Sequence, residues 1–237
     1  MDQQQEQQTA DLIIIGAGAA GMMTAIVTAR QAPSLRIAIL DGSRKIGAKI
    51  MVSGGGRCNV TNVRVTPSDF YGGNPNVIRN IIAAFDEKET VRFFSGIGVS
   101  LHEEDFGKLF PDSQSAKTVV ACLLAELQKQ NVRVESTHRV EQVSLTDEGF
   151  SIHADAASRH PHWKSKRLVI ATGGLSLPKT GSDGMGYTFA QAFEHTMIET
   201  TPALDPILLH GSFHEHLSGI AHDMQFILDA TKSKRVR

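Results

Sequence analysis

The chain has 237 residues, with 24 Lys and Arg against 25 Asp and Glu, for a formal net charge of −1. That length can bury a full core as one large domain or one domain plus part of another, and the near-neutral balance gives no electrostatic case for nucleic acid or a membrane surface. Two cysteines, Cys58 and Cys122, exclude a disulfide framework and fit a reducing compartment. No apolar run reaches membrane-span length, and residues 1–9 are Gln-rich with no basic start or apolar signal core. The expectation is a soluble, cytoplasmic protein with a disordered tail over residues 1–10.

Residues 12–15 are Leu-Ile-Ile-Ile, with no polar face, as in a strand covered on both sides of a parallel sheet. Three glycines follow. Gly16 permits a tight turn off the strand, Gly18 lets backbone approach a pyrophosphate, and Gly21 lets the next helix, residues 22–32, pack closely on the sheet. Free amides at that helix start, around Ala19 and Ala20, suit an anion. A second strand over residues 35–41 ends on Asp41, twenty residues after Gly21, where an acid accepts hydrogen bonds from a ribose diol and repels a 2′-phosphate. The competing reading is an ordinary buried βαβ unit whose glycines serve packing alone. A Walker loop is excluded, because no Gly-Lys-Ser/Thr follows the turn.

Residues 42–62 are too long and glycine-rich for a simple connection, and long ordered loops are usually functional. Gly42, Lys45 and Lys49 lead into Ser53, Gly54, Gly55, Gly56, Arg57, Cys58 and Asn59. Bare glycine backbone lets a flat ligand lie against it, and the lysines and Arg57 add positive charge. A solvated basic loop is the plainer alternative.

The two glycine segments together, above all the Ser-Gly-Gly-Gly-Arg-Cys-Asn text of residues 53–59, resemble the aminoacetone-oxidase-like family of FAD-binding flavoproteins, which also contains 3-dehydro-bile-acid reductases. The resemblance implies that Gly16, Gly18, Ala19, Ala20 and Gly21 hold the FAD pyrophosphate and Asp41 the adenosine ribose, a position where the family more often has Glu. It implies that the segment from Gly42 through Lys45, Lys49, Ser53, Gly54, Gly55, Arg57, Cys58 and Asn59 also binds FAD. It further implies an α/β, Rossmann-like FAD-binding domain of the two-dinucleotide-binding-domain type over residues 11–201, with a β-ribbon insertion.

Residues 63–76 read as a loop, and residues 76–85 and 87–94 as a helical pair. Short strands are expected at 99–101 and 108–110, joined by a solvated acidic turn, His102-Glu103-Glu104-Asp105, rather than a metal site. Residues 115–130 form the clearest later helix, capped by Ser113 or Ser115, and strands follow at 131–135, 139–145 and 150–154. By the family resemblance, main-chain groups of Val140 pass the adenine. A second buried strand, 167–170, runs into Ala171, Thr172 and Gly173, which looks like the element that returns the chain to the FAD sheet; residues 187–195 are then helical.

Pro202 and Pro206 mark the start of a second, substrate domain over 202–237, whose His210, His214, His216 and His222 read as surface residues rather than zinc ligands. Family members are longer, with a later glycine-rich return to the flavin not found in these residues, which leaves open a fragment, a truncated gene product, or one half of a split enzyme completed by another chain or a homo-oligomer. The implied function is an FAD-dependent oxidoreductase moving hydride to or from a small organic substrate, with NADH or NADPH as possible electron donor. Two alternatives stand beside it: a nucleotide-binding fragment without turnover, and a flavin-dependent RNA-modifying protein. Lys49, Cys58, His102 and Tyr187 are the candidate acids and bases, none of them in a paired constellation. Arg57 and the glycine amides beside Cys58 are able to lower its thiol pKa, but Cys122 on a core helix gives it no redox partner, and structural use of Cys58 near the flavin is the preferred reading.

Overall fold

Alternation along one strand organises the sheet. β1 (Gln8–Ile15) sends Leu12 and Ile14 to one face and Ile13 and Ile15 to the other, all of them buried. The computed structural model describes residues 7–201 together with Gly211, Ser212 and His216. α1 (Ala19–Gln31) crosses to β2 (Ile37–Leu40), which pairs parallel to β1 from Leu12–Ile37 to Ile15–Leu40. Then come α2 (Ala48–Val52), β3 (Thr61–Asn62), α3 (Pro75–Ala84), α4 (Glu87–Gly96), β4 (Leu101–Glu104) and β5 (Lys108–Pro111). α5 (Ala116–Lys129), β6 (Arg133–Glu135), β7 (Val140–Thr146), β8 (Gly149–Ala154), β9 (His162–Ile170) and α6 (Met185–Ala192) complete the order.

The main sheet runs β6-β2-β1-β9-β8-β7. Its first four strands are parallel, and β7 and β8 form an antiparallel ribbon on β9. A smaller sheet, β3-β5-β4, stands apart from it. On one face of the main sheet, Met22, Ala25, Ile26 and Ala29 of α1 meet Val119, Leu123 and Leu127 of α5. On the other, Ile13 and Leu40 belong to a cluster with Trp163, Ile152 and Val143 of the ribbon strands and Phe189 of α6. Coverage of both faces explains the unbroken apolar runs.

Several elements depart from expectation. β1 starts at Gln8, inside the stretch expected to be a tail, because β9 begins at His162 and offers partners: Gln8, Thr9 and Ala10 register with Trp163, Lys164 and Ser165. His102, Glu103 and Glu104 are strand rather than turn, since they pair with Phe110, Leu109 and Lys108; the reversal is a 3-10 turn over Asp105–Gly107. Ser115 occupies the N-cap position of α5, yet its side chain makes no capping bond. The chain divides into two units, Met1–Met197 and Ile198–Arg237. Within the second, His216 is exposed, while Pro202, Pro206, His210, His214 and His222 lie outside the described residues.

α1 and α5 are also joined by charge. Glu126 is buried and accepts from Arg30 Nε at 2.9 Å, Arg30 Nη2 at 2.7 Å and Gln130 Nε2 at 2.9 Å. Burial pushes its carboxyl up, but the hydrogen bonds from Arg30 and Gln130 outweigh that and hold it below the ordinary value. Glu126→Gln is expected to cost about 1–3 kcal/mol at neutral pH in urea unfolding. Because the folded carboxyl titrates below the unfolded one, the wild-type advantage over the variant is full above roughly pH 4.3 and shrinks as pH falls through the lower, folded value.

Candidate functional site

The carboxyl ends of β1, β2 and β9 open onto a cleft of about 890 Å³, where ligands bind in open α/β sheets. Its floor is the turn from β1 into α1. Gly16 has φ of +107°, and a Cβ there would lie 2.5 Å from the Ala171 carbonyl oxygen, so the chain passes beneath the end of β9 only as glycine. A Cβ at Gly21 would run into the Gly16 carbonyl oxygen. Above Gly18 the space is open, with nothing within 4 Å of where a Cβ would stand. The first α-helical bond of α1 runs from Met22 N–H to the Gly18 carbonyl at 3.0 Å. The amides of Ala19 and Ala20 therefore have no carbonyl behind them, and no side chain caps the helix. These free amides and the helix dipole form an anion seat at the cleft wall.

Asp41 stands at the end of β2. Its Oδ2 accepts from the Ala17 amide at 2.6 Å and its Oδ1 from the Ser43 amide at 2.7 Å. The carboxylate thus ties the glycine turn to the turn after β2, a role the sequence does not announce. Each oxygen keeps acceptor capacity for a hydroxyl. Lys45, Lys49 and Lys179 line the same cleft and form no ion pair among the described residues. The Lys49 ammonium reaches within 3.2 Å of where a Cβ would stand on Gly173. At the rim, Arg139 donates to Asp183 at 2.6 Å, which holds that carboxyl below its usual range, and packs its stem against Gly42.

The structure brings Gly16, Gly18, Ala19, Ala20, Asp41, Gly42, Lys45, Lys49, Val140, Ala171, Thr172 and Gly173 together around the cleft. It does not bring Gly21 there, which packs beneath, nor Ser53, Gly54, Gly55, Arg57, Cys58 and Asn59. What was read as an open loop over residues 42–62 contains α2 and a turn, Ser53–Gly56, in which Gly54, Gly55 and Gly56 have φ of +54°, +66° and +86°. The glycines meet a conformational demand of the backbone itself. Ser53 Oγ closes α2 by donating to the Ile50 carbonyl at 2.8 Å. Arg57 donates to Glu104 at 2.7 Å and to Gln114 at 2.9 Å, lying over the Phe110 ring at 4.2 Å. The Asn59 amide, oriented to satisfy its neighbours, donates to the Thr61 carbonyl at 2.8 Å.

Cys58 is buried, and burial pushes its thiol up, with the side-chain hydrogen bond it shares with Ser53 offsetting only part. The lowering that a neighbouring Arg57 is able to bring is not realised, because Arg57 is taken by Glu104. His102 does sit in a constellation, with Nδ1 3.0 Å from Asp112 Oδ1 and Nε2 2.8 Å from Gln114 Nε2. Sequence reading missed the partner because Asp112 belongs to the neighbouring strand end.

It also missed His138, Arg139, Lys179, Ser182 and Asp183 as lining residues. His138 is buried, with Nδ1 2.9 Å from the Ser136 carbonyl and Nε2 accepting the His160 amide at 3.3 Å. Ser182 donates to the Thr172 carbonyl at 3.0 Å. The continuation of the family pattern through residues 175–187 was the available signal for three of them.

This turn, acid and sheet order define a Rossmann-like dinucleotide-binding protein. The profile described as HI0933-like protein Rossmann domain matches residues 10–207, and the chain belongs to that family, with its FAD-binding fold. It is 37% identical over 191 residues to a 3-dehydro-bile acid delta(4,6)-reductase of Clostridium scindens, covering 81% of this chain and 46% of that one. It is 35% identical over 211 residues to a ribosomal RNA dihydrouridine synthase of Escherichia coli, covering 89% and 51%. The chain thus spans about half the length of these relatives. Among solved structures, the fold matches a 3-ketosteroid-delta4-(5alpha)-dehydrogenase from Rhodococcus jostii at TM-score 0.55 and 17% identity, covering 73% of this chain and 48% of that one. Among the described residues no helix is long and apolar enough to cross a membrane.

Two outcomes follow from this packing. Gly21→Ala is expected to lower unfolding free energy by about 1–3 kcal/mol in urea, because the added methyl meets backbone that cannot turn aside. The Cys58 thiol is expected to react with a thiol reagent in the folded protein at least ten-fold more slowly than Cys122, read by mass spectrometry.

Proposed function

We propose that this chain is the FAD-binding part of a reductase acting on a carbon–carbon double bond conjugated to a carbonyl. The observation that carries the cofactor reading is the open space over Gly18, bordered by the bare amides of Ala19 and Ala20. It fits a diphosphate: two hydrogen-bond donors and the dipole face it, with Lys45 and Lys49 as uncommitted positive charge in the same cleft. Asp41 would accept the adenosine ribose hydroxyls, and the main chain at Val140 would border the adenine. When bound, FAD supplies hydride chemistry at its ring system. The chain's own part would be to seat the diphosphate at the amides of Ala19 and Ala20 and to accept the ribose hydroxyls at Asp41.

The substrate class rests on the names of two relatives. A 3-dehydro bile acid with delta(4,6) unsaturation and a uridine converted to dihydrouridine share one feature, a C=C bond in conjugation with a carbonyl. The small-molecule reading is preferred for this chain, since its net charge of −1 supplies no excess of cations for an RNA backbone. The RNA reading keeps one specific support, the 35% identity to the dihydrouridine synthase. NADH or NADPH as electron donor, and a cytoplasmic setting, belong to the same proposal.

Titration of the purified chain with FAD, followed by gel filtration, is expected to retain yellow protein with flavin absorbance. Gly18→Val is expected to weaken binding at least 100-fold with an unchanged circular dichroism spectrum, because the side chain enters the diphosphate seat from a position where a Cβ meets nothing within 4 Å. Failure of wild-type protein to bind either FAD or ADP would overturn the cofactor reading. A salt-sensitive shift of ribosomal RNA by the chain would favour the RNA reading over the small-molecule one.

A further inference from the structure

Helix α3 is built to form, yet it buries none of its residues fully. Asn74 caps it, accepting the Asn76 amide at 2.9 Å, and Pro75 occupies the first turn. Val77, Ile78, Ile81 and Ile82 repeat at helical spacing, the pattern of a helix with one core-facing side. None of its ten residues is buried. Val77 and Ile81 are 54% and 66% exposed, and Tyr71, in the segment leading to it, is 93% exposed beside Phe70 at 49%. The neighbouring helices behave differently: α1 buries Met22, Ala25 and Ile26, α5 buries Val119, Leu123 and Leu127, and even the short α6 buries Phe189.

A ten-residue helix does not persist in water by propensity alone. α3 is held at one end, where the Phe85 ring meets the Phe93 ring edge-on at 6.4 Å, and Phe93 is buried. Of the apolar stripe, Ile78 and Ile82 are half-buried, while Val77 and Ile81 face outward. Contiguous apolar surface of this sort marks a place where another polypeptide or a membrane lies. Membrane-surface helices carry several Lys and Arg on the polar side, whereas α3 has Arg79 alone among Asn76 and Asn80.

The relatives point to the occupant. They match this chain over 46% and 51% of their own length, so in each of them a comparable length of polypeptide lies outside the matched part. We infer that the α3 face, with Phe70, Tyr71, Val77 and Ile81 at its centre, is the docking surface for the polypeptide equivalent to that remaining half, whether covalently continuous or a separate chain. The contact is aliphatic and aromatic, and does not involve the diphosphate seat, so it stands or falls independently of cofactor binding.

The test is amide hydrogen exchange over residues 75–85. The full chain is measured alone and after co-expression with the part of the Clostridium scindens reductase that lies outside the match. Co-purification, with exchange slowed at least ten-fold in this window, is the expected result. Ile81→Glu is expected to abolish co-purification while leaving the circular dichroism and melting temperature of the isolated chain unchanged. In the complete Clostridium scindens enzyme, the helix aligned with α3 is expected to exchange slowly; fast exchange there overturns the inference, even where the separate half does not fold. Protection already present in the isolated chain, protection that grows with a doubling of mass, or protection on phosphatidylglycerol vesicles would each assign the face to another occupant and overturn it as well.

Discussion

How closely α1 approaches the end of β1 decides everything the cleft can offer. Gly21 lies against the Gly16 carbonyl with no room for a methyl, and Gly16 in turn passes under Ala171 at the end of β9. Three elements distant in sequence therefore converge on two residues without side chains. The convergence aims the start of α1, with its free amides, along the line where β1, β2 and β9 end. A larger residue at either position would tilt the helix and turn those amides away.

Charge is arranged around that geometry in two ways. Asp41 spends one acceptor on each of two amides, at Ala17 and Ser43, so the acid stiffens the seat it also borders. Lys45 and Lys49 are left without acidic partners among the described residues, while Arg139 and Asp183 neutralise each other at the rim. The cleft lining thereby keeps uncommitted positive charge, which suits an anionic ligand. Away from the cleft, Arg57, Glu104, Gln114 and His102 satisfy one another on the small sheet. Before Arg57 the glycine turn packs closely, and a Cβ on Gly54 would meet both the Asn59 amide nitrogen and the Phe110 ring.

Much of the fold was legible because periodicity reports burial directly. The apolar runs at residues 12–15 and 37–40 became central strands, and the stripe of Val119, Leu123 and Leu127 became the core face of α5. Reading failed where a partner rather than a pattern made the element. Gln8 and Thr9 are polar and look like tail, yet a longer β9 recruits them. His102 to Glu104 look like a turn, yet β5 supplies a ladder. An Arg beside Cys58 is able to activate a thiol, yet Glu104, 47 residues away, claims the guanidinium.

By itself the sequence determined the parallel βαβ unit, the glycines at 16, 18 and 21 and the acid at 41, because each obeys a local steric or periodic rule that no distant contact can relax. The division of labour among those residues was decided only by the tertiary structure. Gly18 faces open space while Gly21 is sealed beneath it, Asp41 braces the turn, and the Ser-Gly-Gly-Gly-Arg-Cys-Asn stretch folds beside the small sheet rather than along the cleft. The physical reason is that a glycine or a charge states what is permitted at its own position, whereas its use depends on which surface the rest of the chain brings against it.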